Sequence, residues 1–127
     1  VFNFGKMQRD FTYIDDIIEA IYRCCLKPAT INNNFDAFNP DPATANAPHR
    51  IFNLGNSKPT DLMDFIALLE TILGQKAIKE FESLQPGDVI STASDTSAIK
   101  EWIDFAPKTN LKIGVQNFAD WYKSFYN

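Results

Sequence analysis

The chain has 127 residues, 45% apolar and 22% charged, which fits one soluble globular domain and excludes whole-chain disorder. Its net charge is −4 with no Lys/Arg cluster, which argues against nucleic acid or an anionic membrane as partner. No apolar run is long enough to span a bilayer.

Val1 to Phe4 is apolar and aromatic, and no signal peptide can be read into it. An opening on Val1-Phe2-Asn3-Phe4 instead of Met reads as cut from something longer. These residues are expected to form an incoming strand, Gly5-Lys6 a turn, and Phe11-Thr12-Tyr13 a second extended piece. Asp15 to Leu26 is a helix. Ile14, Ile17, Ile18, Ile21 and Cys25 share one face, the acidic residues lie toward its start, and Pro28 stops it. Asn32 to Pro48, rich in Asn and Pro, is a long surface loop. Ile51 to Leu54 is a short buried-type strand ending at Gly55-Asn56. Thr60 is a candidate cap for a helix striped by Leu62, Phe65, Ile66, Leu69 and Leu73 and closed by Gly74. Ala77 to Phe81 reads as a strand, and Gln85-Pro86-Gly87-Asp88 as a turn. Asp95 and Thr96 are candidate caps for a short helix that Pro107 ends. Leu111, Val115, Phe118, Tyr122 and Phe125 mark a last helix.

The chemistry is sparse. His49 follows Pro48 in a polar loop with no orienting partner nearby, so a loop or solvent role is expected. Cys24 and Cys25 sit on an apolar helix and are expected to pack. As neighbours they pair poorly, which suits a reducing cytoplasm. No Cys/His pattern has metal-site spacing. The five glycines are isolated, so no phosphate-binding loop can form. Asp15-Asp16 and Asp36/Asp41 read as a helix start and a loop. Arg9 sits at the lip of a strand before a helix. There it can grip a phosphate through charge-assisted bonds, or simply pair with Asp10. Gln85 and Asp88 present an amide and a carboxylate on one turn. These can bond a ribose or base, or belong to an ordinary polar turn.

Three stretches together carry a resemblance. They are Gly5-Lys6-Met7-Gln8-Arg9-Asp10-Phe11-Thr12-Tyr13-Ile14-Asp15-Asp16-Ile17, the loop Ala47-Pro48-His49-Arg50-Ile51-Phe52-Asn53-Leu54-Gly55-Asn56, and Gln85-Pro86-Gly87-Asp88-Val89. With Pro40 to Thr44 and the ending around Pro107 to Tyr122, the chain resembles the C-terminal part of an extended short-chain dehydrogenase/reductase of the NAD-dependent epimerase/dehydratase family. It is most similar to UDP-glucuronate 4-epimerases, over essentially all 127 residues. His49 stands where Tyr is usual, and Ile51-Phe52 replaces a similar apolar pair.

The resemblance implies an α/β fold of Rossmann type, here a C-terminal fragment of mainly helices with a few short strands. Residues 1–127 would be the nucleotide-sugar-binding portion. Arg9 would contact the UDP diphosphate, Phe2 the uracil, and Gln85 and Asp88 the nucleoside. Related galactose-type epimerases have an Arg near the Gln85 position, so the uncharged Gln85 leaves more of the diphosphate to Arg9. The implied reaction inverts C4 of a UDP-sugar, UDP-glucuronate to UDP-galacturonate, with a bound NAD taking and returning a hydride. Its Gly-rich loop and Tyr-x-x-x-Lys pair are not in this sequence. The catalytic residues and NAD would therefore lie upstream, and no cofactor or activity is expected of this chain alone. A homodimer is expected for the intact protein, and self-association for the fragment through apolar surface left uncovered. Another UDP- or dTDP-sugar epimerase or dehydratase, or a non-catalytic sugar-nucleotide-binding module, are the alternatives.

Overall fold

The computed structural model describes residues 1–126. Its regular structure is mostly four helices: α1 (Ile14–Leu26), α2 (Leu62–Leu73), α3 (Ser97–Ile103) and α4 (Leu111–Tyr126). Two short strands, β1 (Gln8–Arg9) and β2 (Thr60–Asp61), pair antiparallel, with Gln8 opposite Asp61 and Arg9 opposite Thr60. A parallel bridge joins Gln8 to Ser91, so β1 lies between two segments distant in sequence. No helix among the described residues is long and apolar enough to cross a membrane.

The expected helices form where the apolar periodicity put them. Asp15 and Asp16 occupy the first turn of α1 and Arg23 its last, the favourable sense for the helix dipole. Gly74 ends α2 with φ +69°, and its N–H reaches the Glu70 carbonyl, the left-handed cap glycine provides. Ser97 N–H and Oγ both bond the Asp95 carboxylate at the start of α3, 3.0 and 2.6 Å away. These bonds lower the Asp95 carboxyl pKa.

Five local expectations are corrected. Val1 to Phe4 is not a strand: Phe2–Gly5 is a 3-10 turn in which Asn3 and Phe4 take φ of +47° and +51°. Its backbone bonds reach Glu82 instead, from Phe4 N–H and to the Val1 carbonyl. Ala77 to Phe81 is no regular strand either. The extended pairing near Phe11 lies earlier, at Gln8–Arg9. Ile51 to Leu54 is not a regular strand: pairing stops at its start, where a Thr44–Arg50 bridge is followed by Ile51 N–H bonding the Ala43 carbonyl at 3.0 Å, and Phe52 and Leu54 pack as half-buried side chains. Thr60 pairs with Arg9 in β2, so α2 begins one residue after Asp61 and Thr60 does not cap it.

The core is small and centres on Ala20, Ile99 and Ile103, ringed by Cys24, Phe52, Leu54, Trp102 and Phe105. Ala20 is fully buried, and its short side chain lets α3 approach α1 closely. The predicted stripe of α1 does not face this core. Asp16 and Ala20 turn inward, while Ile14, Ile18, Ile21, Tyr22 and Leu26 are exposed. The last turns of α4 likewise leave Trp121, Tyr122, Phe125 and Tyr126 exposed. Trp102 is held at the edge of the core. Its ring lies under Lys27 Nζ at 4.6 Å and the Arg50 guanidinium at 5.1 Å, and its indole N–H bonds the Lys27 carbonyl at 3.1 Å.

Buried Glu70 of α2 ties the chain after the helix back onto it. It accepts from Lys79, from Lys76 Nζ at 3.0 Å and from Ala77 N–H at 3.0 Å. The Lys79 bond first, then those of Lys76 and Ala77, hold its carboxyl at about 2, well below its ordinary 4.5. A carboxyl depressed by folding stabilises most when both states are ionised, and the effect fades as pH falls toward the folded value. Glu70→Gln is therefore expected to be less stable than the parent at neutral pH. The gap should close between about pH 4.5 and pH 2. Urea unfolding across that range checks it; a gap that stays constant down to pH 2 contradicts it.

Candidate functional site

Two of the sequence-predicted residues meet beside β1. Arg9 Nη2 lies 2.9 Å from Asp88 Oδ1, joining positions 79 apart in sequence. Arg9 Nη1 donates to the carbonyls of Gln8 at 2.8 Å and Ile90 at 3.2 Å. The two side chains are a quarter and a third exposed, so the guanidinium is held by three oxygens and still open to solvent. Arg9 does not pair with Asp10, which the sequence left open.

β1 is what fixes Arg9. Gln8 N–H donates to Ile90 C=O at 2.9 Å, and Thr92 N–H returns to Gln8 C=O at 3.3 Å. On the other side, the Gln8 amide donates to Asp61 Oδ1 at 3.0 Å. The segment 90–92 is thus a backbone rail carrying the turn before it to the guanidinium. In that turn Asp88 N–H bonds the Gln85 carbonyl at 3.2 Å, and Gly87 takes φ +85°. Asp88 Oδ1 also accepts Val89 N–H at 2.8 Å. Gln85 is brought to the site through its backbone. Phe2 is not part of this bonded group. It lies 41% exposed on the 3-10 turn, which is tied to Glu82, a few residues before Gln85.

Asp10 organises the rest, a role the sequence reading missed. Its carboxylate accepts the N–H groups of Ser57 at 3.0 Å, Lys58 at 3.3 Å and Ser94 at 3.2 Å. Gly55 must be Gly here: a Cβ would stand 2.3 Å from Ser94 Oγ and 2.8 Å from Asp10 Oδ2. The motif placed Asp10 beside Arg9 but gave no sign of its partners, which come from two remote loops. Asp16, buried at the start of α1, accepts the N–H groups of Thr109 at 2.9 Å and Lys108 at 3.3 Å. The Asp15-Asp16 pair is structural, as read from the sequence.

The remaining candidates are quiet. His49 is exposed in the loop. Burial first, then neighbouring Cys25, push the Cys24 thiol up, which disfavours the nucleophilic thiolate. Asp36 and Asp41 bond the backbone two residues on, in Asx turns. An apolar cleft of about 330 Å³ lies between α2, α4 and the link into α1, with Phe11 stacked on Phe65 at 4.1 Å between ring centres. It holds no charged side chain. Three glycines stand against side chains: Gly5 against Met63, Gly55 against Ser94 and Gly114 against Tyr13. What the Arg9 site can do is bind: a fixed cation beside a carboxylate and a polar turn suits an anion linked to a hydroxyl-bearing group.

No family model matches the chain. It is 49% identical over 126 residues to an uncharacterized 37.6 kDa protein of Escherichia coli O111:H-, covering 99% of this chain and 38% of that protein. It is 34% identical over 130 residues to a probable UDP-glucuronate 4-epimerase of Rhizobium meliloti, covering 99% of this chain and 37% of that one. Its fold superimposes on the UDP-glucuronic acid 4-epimerase of Bacillus cereus, solved with UDP-glucuronic acid and NAD. The TM-score there is 0.75 at 27% identity, over 99% of this chain and 35% of the other. The chain thus spans between 27% and 38% of the length of the curated relatives it matches.

Proposed function

We propose, from homologues that are UDP-glucuronate 4-epimerases and related NAD-dependent epimerases, that this chain is the UDP-sugar-binding portion of a nucleotide-sugar 4-epimerase. In this reading Arg9 receives the diphosphate, Asp88 the ribose hydroxyls, Gln85 the nucleoside and Phe2 the uracil. The observation that carries it is the convergence of Arg9 and Asp88 at 2.9 Å beside a polar turn. The interconversion of UDP-glucuronate and UDP-galacturonate belongs to an intact protein in the cytoplasm. Its other part holds NAD and supplies the catalytic Tyr and Lys, since no Tyr in this sequence has Lys four residues on. That protein is read as a homodimer, and the outward apolar faces of α1 and α4 favour self-association of the chain by itself.

Calorimetric titration with UDP tests the site. Arg9→Ala is expected to weaken UDP binding by about 2 kcal/mol, roughly thirtyfold, the scale of hydrogen bonds to a charged group. An unchanged affinity refutes the phosphate role.

A further inference from the structure

We propose that the Arg9–Asp88 ion pair makes this site select a nucleoside diphosphate over free pyrophosphate, the Asp88 carboxylate passing from the guanidinium to the ribose hydroxyls as the ligand enters. The inference rests on the reading above, in which Arg9 takes the diphosphate and Asp88 the ribose. It adds a reason for the two residues to touch each other.

Both N–H groups of Arg9 Nη1 are committed to the Gln8 and Ile90 carbonyls, so the guanidinium has little freedom to move. One N–H of Nη2 is taken by Asp88. Nε–H and the second Nη2–H remain for a phosphate. The carboxylate is the looser partner. It stands on a turn whose preceding residue is Gly87, and its second bond is to the adjacent Val89 N–H. A carboxylate 2.9 Å from the cation cancels most of its field and repels any anion that approaches. Pyrophosphate meets that repulsion and brings no hydroxyl donor to draw the carboxylate away. A nucleoside diphosphate brings both groups: phosphate oxygens for the guanidinium and vicinal hydroxyls that donate to the displaced carboxylate. The ion pair is partly exposed, so separating it costs little once each partner is satisfied elsewhere. Selectivity follows from the ligand having to satisfy both ends of the broken pair.

The test measures binding of UDP and of inorganic pyrophosphate to the 127-residue chain by calorimetry, for the parent, Asp88→Asn and Asp88→Ser. Asp88→Ser keeps an acceptor for Val89 N–H, and circular dichroism checks that each variant is folded. The parent is expected to prefer UDP. Loss of the charge is expected to tighten pyrophosphate about tenfold in both variants, and the preference for UDP to shrink by at least as much. Pyrophosphate binding that is unchanged or weaker in both folded variants overturns the exchange. Equal binding of the two ligands by the parent also overturns it. If Arg9→Ala weakens UDP while the Asp88 variants leave pyrophosphate unchanged, the exchange alone falls. If Arg9→Ala leaves UDP unaffected, or UDP does not bind, the reading of the site falls with it.

Discussion

Asp10→Ala is expected to lower the stability of the chain by about 3 kcal/mol, and its thermal midpoint by roughly 10 °C. One carboxylate serves three backbone N–H groups, at Ser57, Lys58 and Ser94, from two loops more than thirty residues apart. Truncation leaves these donors without an acceptor in a crowded place, where Gly55 already lies against Ser94 and Asp10 itself. Charge-assisted bonds to backbone amides are among the stronger ones, and three of them end on this one carboxylate, the one from Ser94 in a half-buried place. Asp10→Asn, which keeps one acceptor oxygen, should lose distinctly less. Thermal unfolding followed by circular dichroism ranks the three proteins. A shift for Asp10→Ala no larger than that of an exposed surface substitution refutes the role.

Asp16→Ala should destabilise to a similar degree, by about 3 kcal/mol. Asp16 is 7% exposed and joins the first turn of α1 to the backbone at Lys108 and Thr109, just before α4. It also sits where the helix dipole favours a negative charge. Its neighbour Asp15 shares the helix start but is exposed. Asp15→Ala is the matched control and should change stability by well under 1 kcal/mol. Urea unfolding of the two variants separates them. Equal losses would place the effect in the helix dipole and not in the link to α4.

The four helices were legible because each carries an apolar period, and three are followed by a stop, at Pro28, Gly74 and Pro107. The strands were not. Gln8–Arg9 and Thr60–Asp61 are two residues each, too short to show alternation, and their pairing is decided by segments far away. Ile51 to Leu54 has strand composition but is paired only at its start, through Ala43, and composition cannot report how far a partner extends. The stripe of α1 gave the helix but not its orientation. Periodicity says which residues share a face, whereas the small Ala20 decided which face met α3. At the site, residue type singled out Arg9 and Asp88 separately. That they touch depends on Gln8 docking against 90–92, which no local pattern encodes. Asp10 was visible as the neighbour of Arg9, yet its three donors are main-chain groups, to which sequence is blind.

The central position of β1 has a kinetic side. Its contacts close loops of about 50 residues to β2 and about 80 residues to the segment 90–92. The free-energy cost of closing a loop grows slowly with its length, whereas folding rate falls steeply as contacts become non-local. Helices α1, α2 and α4 can form from neighbouring residues alone. The Arg9–Asp88 pair, formed where distant stretches converge, belongs to the slow steps of folding, after the helices have brought those stretches within reach.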